Sequence, residues 1–268
     1  MNIVVIVQAR TSSTRLPGKI LYEIFGKPLL LLQLERIRTA KMVNNIVVAT
    51  TTDISDDPII DLCKNNGFDY YRGKMNDLLD RHYKSAIEYN ADIVVKIPSD
   101  CPLIDPSIID KVINYYLNNI NLFDFVSNLH PPSYPDGNDV EVIPIQILKI
   151  AWKQAEKQYE LEHTTPYIWT RPNIYRIGNV LWDTGLDYSK NYRFTIDYLE
   201  DFEFIKEVYE NLYPSNKIFS LDDILNLLEK EPRINKINSK YHGEYWYRNY
   251  IDELKKSLNF EQTEMKLI

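Results

Sequence analysis

A basic and hydroxyl-rich segment directly follows the first apolar run of the sequence. Residues 10–19 read Arg-Thr-Ser-Ser-Thr-Arg-Leu-Pro-Gly-Lys; the cations are Arg10, Arg15 and Lys19, and Ser13 is among the hydroxyl residues. Cationic side chains, hydroxyls and backbone amides together bind phosphate oxygens, and a glycine lets the backbone come close to them. The segment has neither a Walker A nor a G-x-G-x-x-G motif. It therefore predicts a polyphosphate-binding loop of another type, with a solvated basic turn as the alternative.

Two aspartates each end an apolar, strand-like run. Asp100 comes shortly after residues 93–97, and Asp197 comes directly after residues 193–196. Ligands of open α/β sheets bind at the carboxyl ends of the strands, so both carboxylates are expected beside the basic loop. Carboxylates in such a place hold Mg²⁺ together with substrate phosphates. We therefore predict Asp100 and Asp197 as metal ligands; a turn or helix cap is the alternative for Asp100 and a structural role for Asp197.

Polar residues in the middle of the chain are candidates for binding a second substrate. These candidates are Asp139, Glu141, Glu162 and His163, with Arg171 nearby in the sequence. Cations and amides recognise carboxylates and phosphates, so we expect this group to contact a small anionic acceptor. The alternative for His163 is a structural role in the loop that follows it.

Apolar runs alternate with segments of helical periodicity in the first half of the chain. Strands are predicted at 3–7, 46–50, 68–71 and 92–97, and helices at 29–39, 59–65, 78–89 and 106–117. This alternation is the pattern of βαβ units. It predicts an α/β fold with a mixed, mostly parallel sheet and helices on both faces.

The second half of the chain is less regular. Strands are predicted at 123–126, 140–143 and 192–196, and amphipathic helices at 145–160 and 199–212. Ser220 and Asp223 form a variant of the capping box, which predicts a helix that ends before Pro232. We expect a main domain over 1–216, with a lid or dimer arm within about 128–190, and a helical, aromatic-rich extension over 217–268.

Composition and charge narrow the class of protein. The 268 residues are 44% hydrophobic and 26% charged, which is typical of a globular protein and excludes wholesale disorder. The formal charge of −7 argues against a dedicated nucleic-acid or anionic-membrane partner. No apolar run approaches the roughly 20 residues of a membrane span, and the start lacks the features of a signal peptide. We therefore expect a cytoplasmic protein.

Five segments together resemble a known family. The segment 10–19 resembles the Arg-x-x-Ser-x-Arg-Leu-Pro-Gly-Lys motif of cytidylyltransferases that activate acidic sugars, including the acylneuraminate and 3-deoxy-manno-octulosonate enzymes. With 99–106, 134–142, 162–167 and 193–197, the chain is most similar to the spore-coat polysaccharide biosynthesis protein F group. The resemblance extends over about residues 1–212.

The resemblance implies a Rossmann-like nucleotidyltransferase fold, CTP as the nucleotide donor, Mg²⁺ as the cofactor and a homodimer. Arg10, Ser13, Arg15 and Lys19 match the triphosphate-binding loop, and Asp100 and Asp197 match the metal-binding aspartates. Asp80 and Arg81 fall where relatives contact the base or ribose. By this resemblance Lys19, Arg15 and Asp100 are the expected catalytic residues for CMP transfer with release of pyrophosphate.

The chain departs from the family pattern around Asp100. Ser99 stands where related enzymes tend to have glycine, and Cys101 stands where the octulosonate enzymes have glutamate, so their sugar is not the expected acceptor. The alternative function is a metal-dependent glycosyltransferase that uses a nucleotide-sugar donor. Many such enzymes carry an Asp-x-Asp motif, whereas Asp100 is followed by Cys101 and Pro102.

Overall fold

The structure, a computed structural model, describes residues 1–244 together with Tyr250, Asp252 and Leu254. Its strands are β1 (Ile3–Gln8), β2 (Glu23–Ile24), β3 (Lys27–Pro28), β4 (Asn45–Thr51), β5 (Asp69–Gly73), β6 (Ile93–Pro98), β7 (Phe125–Ser127), β8 (Glu141–Pro144) and β9 (Ile177–Asn179). Within the described part, β2 and β3 form a small ribbon and the other strands form one sheet in the order β5-β4-β1-β6-β8-β7-β9. Only β8 runs antiparallel to its neighbours in that sheet. The predicted mixed, mostly parallel sheet is confirmed.

Helices cover both faces of the sheet. They are α1 (Leu29–Ile37), α2 (Asp57–Asn66), α3 (Leu78–Glu88), α4 (Pro106–Asn118), α5 (Ile145–Gln154), α6 (Gln158–His163), α7 (Pro166–Trp169), α8 (Leu199–Leu212), α9 (Leu221–Lys230) and α10 (Pro232–Lys236). Successive strand residues point to opposite faces, so Val5 of β1 belongs to one apolar cluster with residues of α1, α4 and α8, and Ile6 to another with residues of α3 and α5. No helix in the described residues is long and apolar enough to cross a membrane.

Two predicted elements differ from the structure. The predicted helix 145–160 is interrupted, because the chain leaves the helical conformation at Ala155 and the carboxylate of Glu160 accepts hydrogen bonds from the backbone of Glu156 and Lys157, which starts α6. The predicted strand 192–196 pairs with no strand of the sheet. Its backbone instead bonds to two loops, through Phe194 N to the carbonyl of Asp136 and through Ile196 N to the carbonyl of Asp100.

The C-terminal helices belong to the same core as the sheet. Ser220 caps α9 with the predicted reciprocal bonds to Asp223, and α9 ends before Pro232 as expected. Leu228 of α9 is buried with side chains of α1 and α4. The buried guanidinium of Arg36 in α1 donates a hydrogen bond to the carbonyl of Phe219 at 2.7 Å, just before α9. Phe219 and α9 therefore complete the core of the preceding chain.

Candidate active site

A cavity of about 840 Å³ opens at the carboxyl ends of β1 and β6. The residues after β1 that line it are Arg10, Ser13, Thr14, Arg15 and Lys19; those after β6 are Ser99 and Asp100. The middle of the chain contributes Asp136, Asp139, Glu141, Glu162 and His163, and the later segment contributes Arg193 and Asp197. The topology thus brings together most of the residues that the sequence singled out.

The basic loop is held in shape by residues outside the cavity. The carboxylate of Asp56 accepts hydrogen bonds from the backbone N–H of Thr11 at 2.7 Å and from its hydroxyl at 2.8 Å. The N–H of Gly18 donates to the carbonyl of Thr11 at 2.8 Å, and Gly18 has a φ of 69°, which favours glycine. This turn directs Lys19 into the cavity.

Lys19 lies between the two predicted metal ligands. Its Nζ is 2.8 Å from Oδ1 of Asp197 and 3.7 Å from Oδ2 of Asp100, and it donates to the carbonyl of Ile196. Lys19 is 9% exposed, so its charge lies in a partly desolvated site. Arg15 also contacts Asp197, at 2.7 Å. The ammonium and guanidinium groups can bind phosphate oxygens at this place.

Arg193 joins the acids of this region into one network. Its guanidinium lies 2.7 Å from Asp197, 3.1 Å from Asp201 and 3.4 Å from Asp136, and the arginine is only 2% exposed. Burial opposes the charge of Asp197, but Lys19, Arg15 and Arg193 hold the pKa of this carboxyl below its ordinary value. We call the group of Arg15, Lys19, Asp100, Arg193 and Asp197 the basic end of the cavity.

Negative charge accumulates beside the basic end. Burial raises the pKa of Asp139, and the nearby charge of Asp100 raises it further. Burial and the charge of Asp139 likewise raise the pKa of Asp136. Glu141 of β8 is paired with Lys96 of the neighbouring strand β6. Carboxylates that raise one another's pKa are stabilised when a divalent cation binds between them, because it supplies positive charge and accepts their oxygens as ligands.

The two predicted metal ligands differ in how well they suit that role. No group of three or more His, Cys, Asp or Glu side chains within residues 1–244, 250, 252 and 254 is arranged to hold a metal ion. Asp100 is one-third exposed in its side chain and has Lys19 as a distant ion-pair partner. Asp197 is already engaged by three cations. Mg²⁺ commonly binds one or two carboxylates together with substrate phosphates and waters. Asp100 fits this role as it stands. Asp197 fits it if its carboxylate exchanges an ion-pair partner for the metal.

The other end of the cavity contains Glu162 and His163 of α6 together with Tyr250, which we call the histidine end. Burial, assisted by the charge of Lys96, lowers the pKa of His163 to about 3, so its imidazole is neutral at physiological pH. Burial opposes the charge of Glu162, but hydrogen bonds from Gln158 and Tyr250 bring its pKa below the ordinary value. The charge of Arg10 lowers the pKa of both groups, so a cation lies near this pair, and acceptor binding by Glu162 and His163 stays a prediction.

Asp80 and Arg81 do not line the cavity. Asp80 is buried on α3, where its carboxylate accepts from the indole of Trp152 and pairs with Lys84 at 2.9 Å. Arg81 is fully buried and donates to the carbonyls of Lys74 and Met75. The structure therefore does not place Asp80 or Arg81 where they would contact a base or ribose in the cavity. Arg81 instead supports the loop at Met75, which does line the cavity.

Several lining residues were missed as site candidates in the sequence. These are Lys96, His130, Trp169, Arg193 and Tyr250. Lys96 stands out in retrospect as a lone cation within the apolar strand β6, and Arg193 as an arginine four residues before Asp197. The rings of His130 and Trp169 stack with centroids 4.3 Å apart, although the residues are 39 positions apart, and sequence spacing does not indicate this pair.

The fold and the site are typical of α/β enzymes that transfer nucleotides. They combine a mostly parallel sheet, a basic loop after its first strand and a charged cavity at the carboxyl ends of the strands. A family model described as cytidylyltransferase matches residues 4–224. The chain belongs to the cytidylyltransferase family, whose members are CTP-dependent nucleotidyltransferases. The family match favours nucleotidyl transfer over the alternative of glycosyl transfer.

Individual relatives cover nearly the whole family region. An uncharacterized protein of Methanocaldococcus jannaschii is 36% identical over 241 residues, which are 89% of this chain and 95% of that protein. The spore coat polysaccharide biosynthesis protein SpsF of Bacillus subtilis is 32% identical over 237 residues, or 86% of this chain and 95% of that protein. A solved cytidylyltransferase from Leptospira borgpetersenii superimposes with a TM-score of 0.83 at 33% identity, covering 92% of this chain and 99% of that one.

Proposed function

We propose that this protein is a Mg²⁺-dependent cytidylyltransferase that transfers CMP from CTP to an acidic sugar or a phosphorylated acceptor and releases pyrophosphate. The observation that carries the proposal is the position of Lys19, whose ammonium lies between Asp100 and Asp197 directly after the basic loop. The name of the B. subtilis relative supports a role for the product in the biosynthesis of a surface polysaccharide.

In this reaction an oxygen of the acceptor attacks the α-phosphorus of CTP. A new bond forms between that oxygen and the phosphorus, and the bond from the phosphorus to the bridging oxygen of the β-phosphate breaks. Arg10, Ser13 and Arg15 bind the triphosphate, and Lys19 stabilises the charge that develops on the leaving pyrophosphate. No covalent intermediate with the protein is required.

Mg²⁺ would be held by Asp100, and by Asp197 once its ion pairs rearrange around the bound triphosphate. Bound there, the ion supplies neutralisation of phosphate charge in the transition state. Lys19 contacts both carboxylates and so keeps them oriented toward the phosphates. Asp139 and Glu141 lie in the same cavity and would face the acceptor.

The acceptor is expected to differ from 3-deoxy-manno-octulosonate. Cys101, which replaces the glutamate of those enzymes, is fully buried, and its thiol lies 3.6 Å from Oδ1 of Asp100. It contacts the carboxylate from behind the cavity and offers no group to a sugar. Ser99 lines the cavity, where its side chain occupies space that a glycine would leave to the nucleotide.

We also propose that the protein is a homodimer whose arm lies within residues 128–190. Large apolar side chains are exposed in this region, with Ile174 at 63%, Leu181 at 55% and Leu186 at 46%. Contact with a second subunit would remove this apolar surface from water. Sedimentation of the protein should give a dimer mass, and a monomer mass at micromolar concentration would contradict the proposed assembly.

A thermal-shift screen of the four ribonucleoside triphosphates, each with and without Mg²⁺, tests the reaction. A ligand that binds only the folded state raises its stability, so CTP with Mg²⁺ should give the largest shift. Pyrophosphate release is then measured with CTP and a panel of acidic and phosphorylated sugars. A shift with nucleotide-sugars alone, or release of a nucleoside diphosphate, would refute the proposal.

A further inference from the structure

The C-terminal segment 238–244 packs against the part of the chain that carries Asp197. The family model ends at residue 224, so this contact lies outside the matched region. Asn238 is fully buried, and its Nδ2 donates to the carbonyl of Arg193 at 2.9 Å and to Oδ1 of Asp201 at 3.0 Å. The opposite orientation of the amide would place its oxygen against two acceptors, so only the donor fits here. Asn238 therefore holds the chain on both sides of Asp197.

Asp201 is the residue through which this contact reaches Asp197. It is fully buried in the first turn of α8. Its Oδ2 accepts hydrogen bonds from the backbone N–H of Asp197 at 2.9 Å and of Tyr198 at 3.0 Å. Its Oδ1 accepts from Nε of Arg193 at 3.1 Å as well as from Asn238. The carboxylate of Asp201 thus fixes the main chain of Asp197 together with the guanidinium that is paired with Asp197.

Two further contacts hold the segment 238–244 in place. The ring of Tyr241 stacks on that of Tyr198, with centroids 3.9 Å apart and 10° between the planes. The guanidinium of Arg193 donates to the carbonyl of Glu244 at 3.1 Å. Because these contacts do not involve the side chain of Asn238, loss of its amide would remove two hydrogen bonds without detaching the segment.

The direction of a carboxylate decides whether it can bind magnesium. Mg²⁺ requires near-ideal octahedral geometry, so its ligands tolerate little displacement. Asp197 must also exchange an ion-pair partner before it can act as a ligand, while its pair with Arg193 stays anchored by Asp201. The main chain that carries Asp197 therefore has to stay fixed while its carboxylate changes partners.

We propose that Asn238 is a positioning residue that acts through Asp201 to fix the main chain of Asp197 and the guanidinium of Arg193. The C-terminal extension then sets the direction of a candidate metal ligand that lies within the family region. The consequence for the metal rests on the proposed function. The positioning of the chain requires no ligand, so the two are tested separately.

Hydrogen exchange at single-residue resolution tests the positioning in the full-length protein without a ligand. Asn238→Ala removes both hydrogen bonds of the amide and leaves the Asp201 carboxylate less firmly held. The N–H groups of Asp197 and Tyr198 should then exchange about fivefold faster, the size expected when one hydrogen bond to their acceptor is lost. Asn238→Ser, which leaves a small polar group in the buried site, is the second variant and should act in the same direction.

Two references separate positioning from a general loss of stability. The N–H of Ile196 donates to the carbonyl of Asp100 and not to Asp201, so its exchange in Asn238→Ala should change by less than about twofold. Asn211→Ala is the matched control, because it removes an exposed amide that bonds to a carbonyl within α8. This control should exchange like the wild type at Asp197 and Tyr198.

Calorimetric titration with CTP tests the consequence for the metal. At a temperature where both proteins are folded, Asn238→Ala should raise the Mg²⁺ concentration needed for half-maximal CTP binding by about fivefold. The affinity for CTP in EDTA should stay within about twofold of the wild type, because the variant leaves the basic loop unchanged. A change that only lowered the stability of the fold would alter neither quantity at this temperature.

Wild-type exchange at Asp197 and Tyr198 in both Asn238→Ala and Asn238→Ser would overturn the inference, as would an equal rise at Ile196. An unchanged Mg²⁺ requirement for CTP binding would also overturn it. A wild-type protein that binds no CTP with Mg²⁺ would instead refute the proposed function, and the exchange rates would then decide the role of Asn238 alone.

Discussion

The basic end and the histidine end of the cavity are built by different means. At the basic end, five charged groups neutralise one another in a partly buried network around Lys19 and Asp197. At the histidine end, the carboxylate of Glu162 accepts hydrogen bonds from Gln158 and Tyr250, and burial, with the charges of Lys96 and Arg10, holds the imidazole of His163 uncharged. The first end suits multiply charged phosphates, whereas the second offers hydrogen-bonding groups with cations nearby.

This difference explains why most of the basic end was predicted from the sequence, whereas at the histidine end Glu162 and His163 were predicted and Tyr250 was not. Phosphate binding requires cations and hydroxyls close together, and residues 10–19 provide them within one loop. The histidine end combines α6 with Tyr250, which is 87 residues further along the chain than His163. Neutral groups that meet only in the folded protein leave no charge pattern in the sequence.

The largest expected effect concerns the network of the basic end. Arg193→Met removes the cation shared by Asp136, Asp197 and Asp201 and should lower the free energy of unfolding by about 3–5 kcal/mol, because buried carboxylates lose their partner. Urea denaturation measures the change. The control is Arg176→Met, which breaks an exposed pair with Asp124 and should cost about 1 kcal/mol or less. Equal losses in the two variants would show that burial does not distinguish these networks.

Lys19→Ala should lower kcat/KM for pyrophosphate release by about 10² or more, since it removes a charge that stabilises the leaving group. Lys27→Ala is the matched control, because Lys27 pairs with Glu35 outside the cavity. A loss of less than tenfold for Lys19→Ala would remove the main support for the basic end as the catalytic region.

Asp100→Asn should lower kcat/KM by about 10² at saturating Mg²⁺ and raise the Mg²⁺ concentration needed for half-maximal activity. The control is Asp61→Asn on the exposed surface of α2. An unchanged Mg²⁺ requirement in Asp100→Asn would assign the metal to other carboxylates of the cavity.

A pH dependence is expected near the histidine end. His82 contacts the hydroxyl of Thr164, which follows His163, and burial lowers the pKa of His82 from its ordinary 6.5 to about 3. Below pH 6.5 the unfolded chain therefore binds a proton that the folded protein does not, so stability falls as the pH falls. Between pH 6.5 and 5.5 this histidine should contribute a loss of about 1 kcal/mol.

His82→Gln should reduce the fall in urea-unfolding stability between pH 6.5 and 5.5 by about 1 kcal/mol, and His163, whose pKa is also lowered to about 3, accounts for part of the fall that remains. An identical slope in wild type and variant would mean that His82 takes up a proton in the folded protein as readily as in the unfolded chain.

The smallest effect is expected at Asp80. Asp80→Asn should change the dissociation constant for CTP by less than about twofold, because the carboxylate faces Trp152 and Lys84 and not the cavity. Calorimetric titration with CTP and Mg²⁺ measures it. A tenfold weakening would restore the role in base or ribose binding that the family resemblance implied.

The fold was largely predictable because apolar periodicity determines both the element type and the face that it buries. Strands such as β1 and β6 and the helix α8 lie where the sequence places them. The errors have local physical causes. The segment 192–196 has the composition of a strand, but its backbone bonds go to loops, and the carboxylate of Glu160 divides a periodic segment into α5 and α6.

The candidate site was predictable only where the chemistry is local. Arg10, Ser13, Arg15 and Lys19 line the cavity, as does Asp100 at the end of β6. Arg81 shows the limit of this reasoning. The family resemblance implies that Arg81 contacts the base or ribose, yet the structure shows its guanidinium buried against backbone carbonyls.

The hydrogen bond from Arg36 to the carbonyl of Phe219 has a consequence for the protein during its synthesis. The two residues are 183 positions apart, so the guanidinium emerges from the ribosome long before its partner. Until then α1 carries a cation that the finished core buries, and the α1 face of the sheet lacks the apolar side chains of α9. The nascent chain must therefore keep this face in contact with water or a chaperone until α9 has been made.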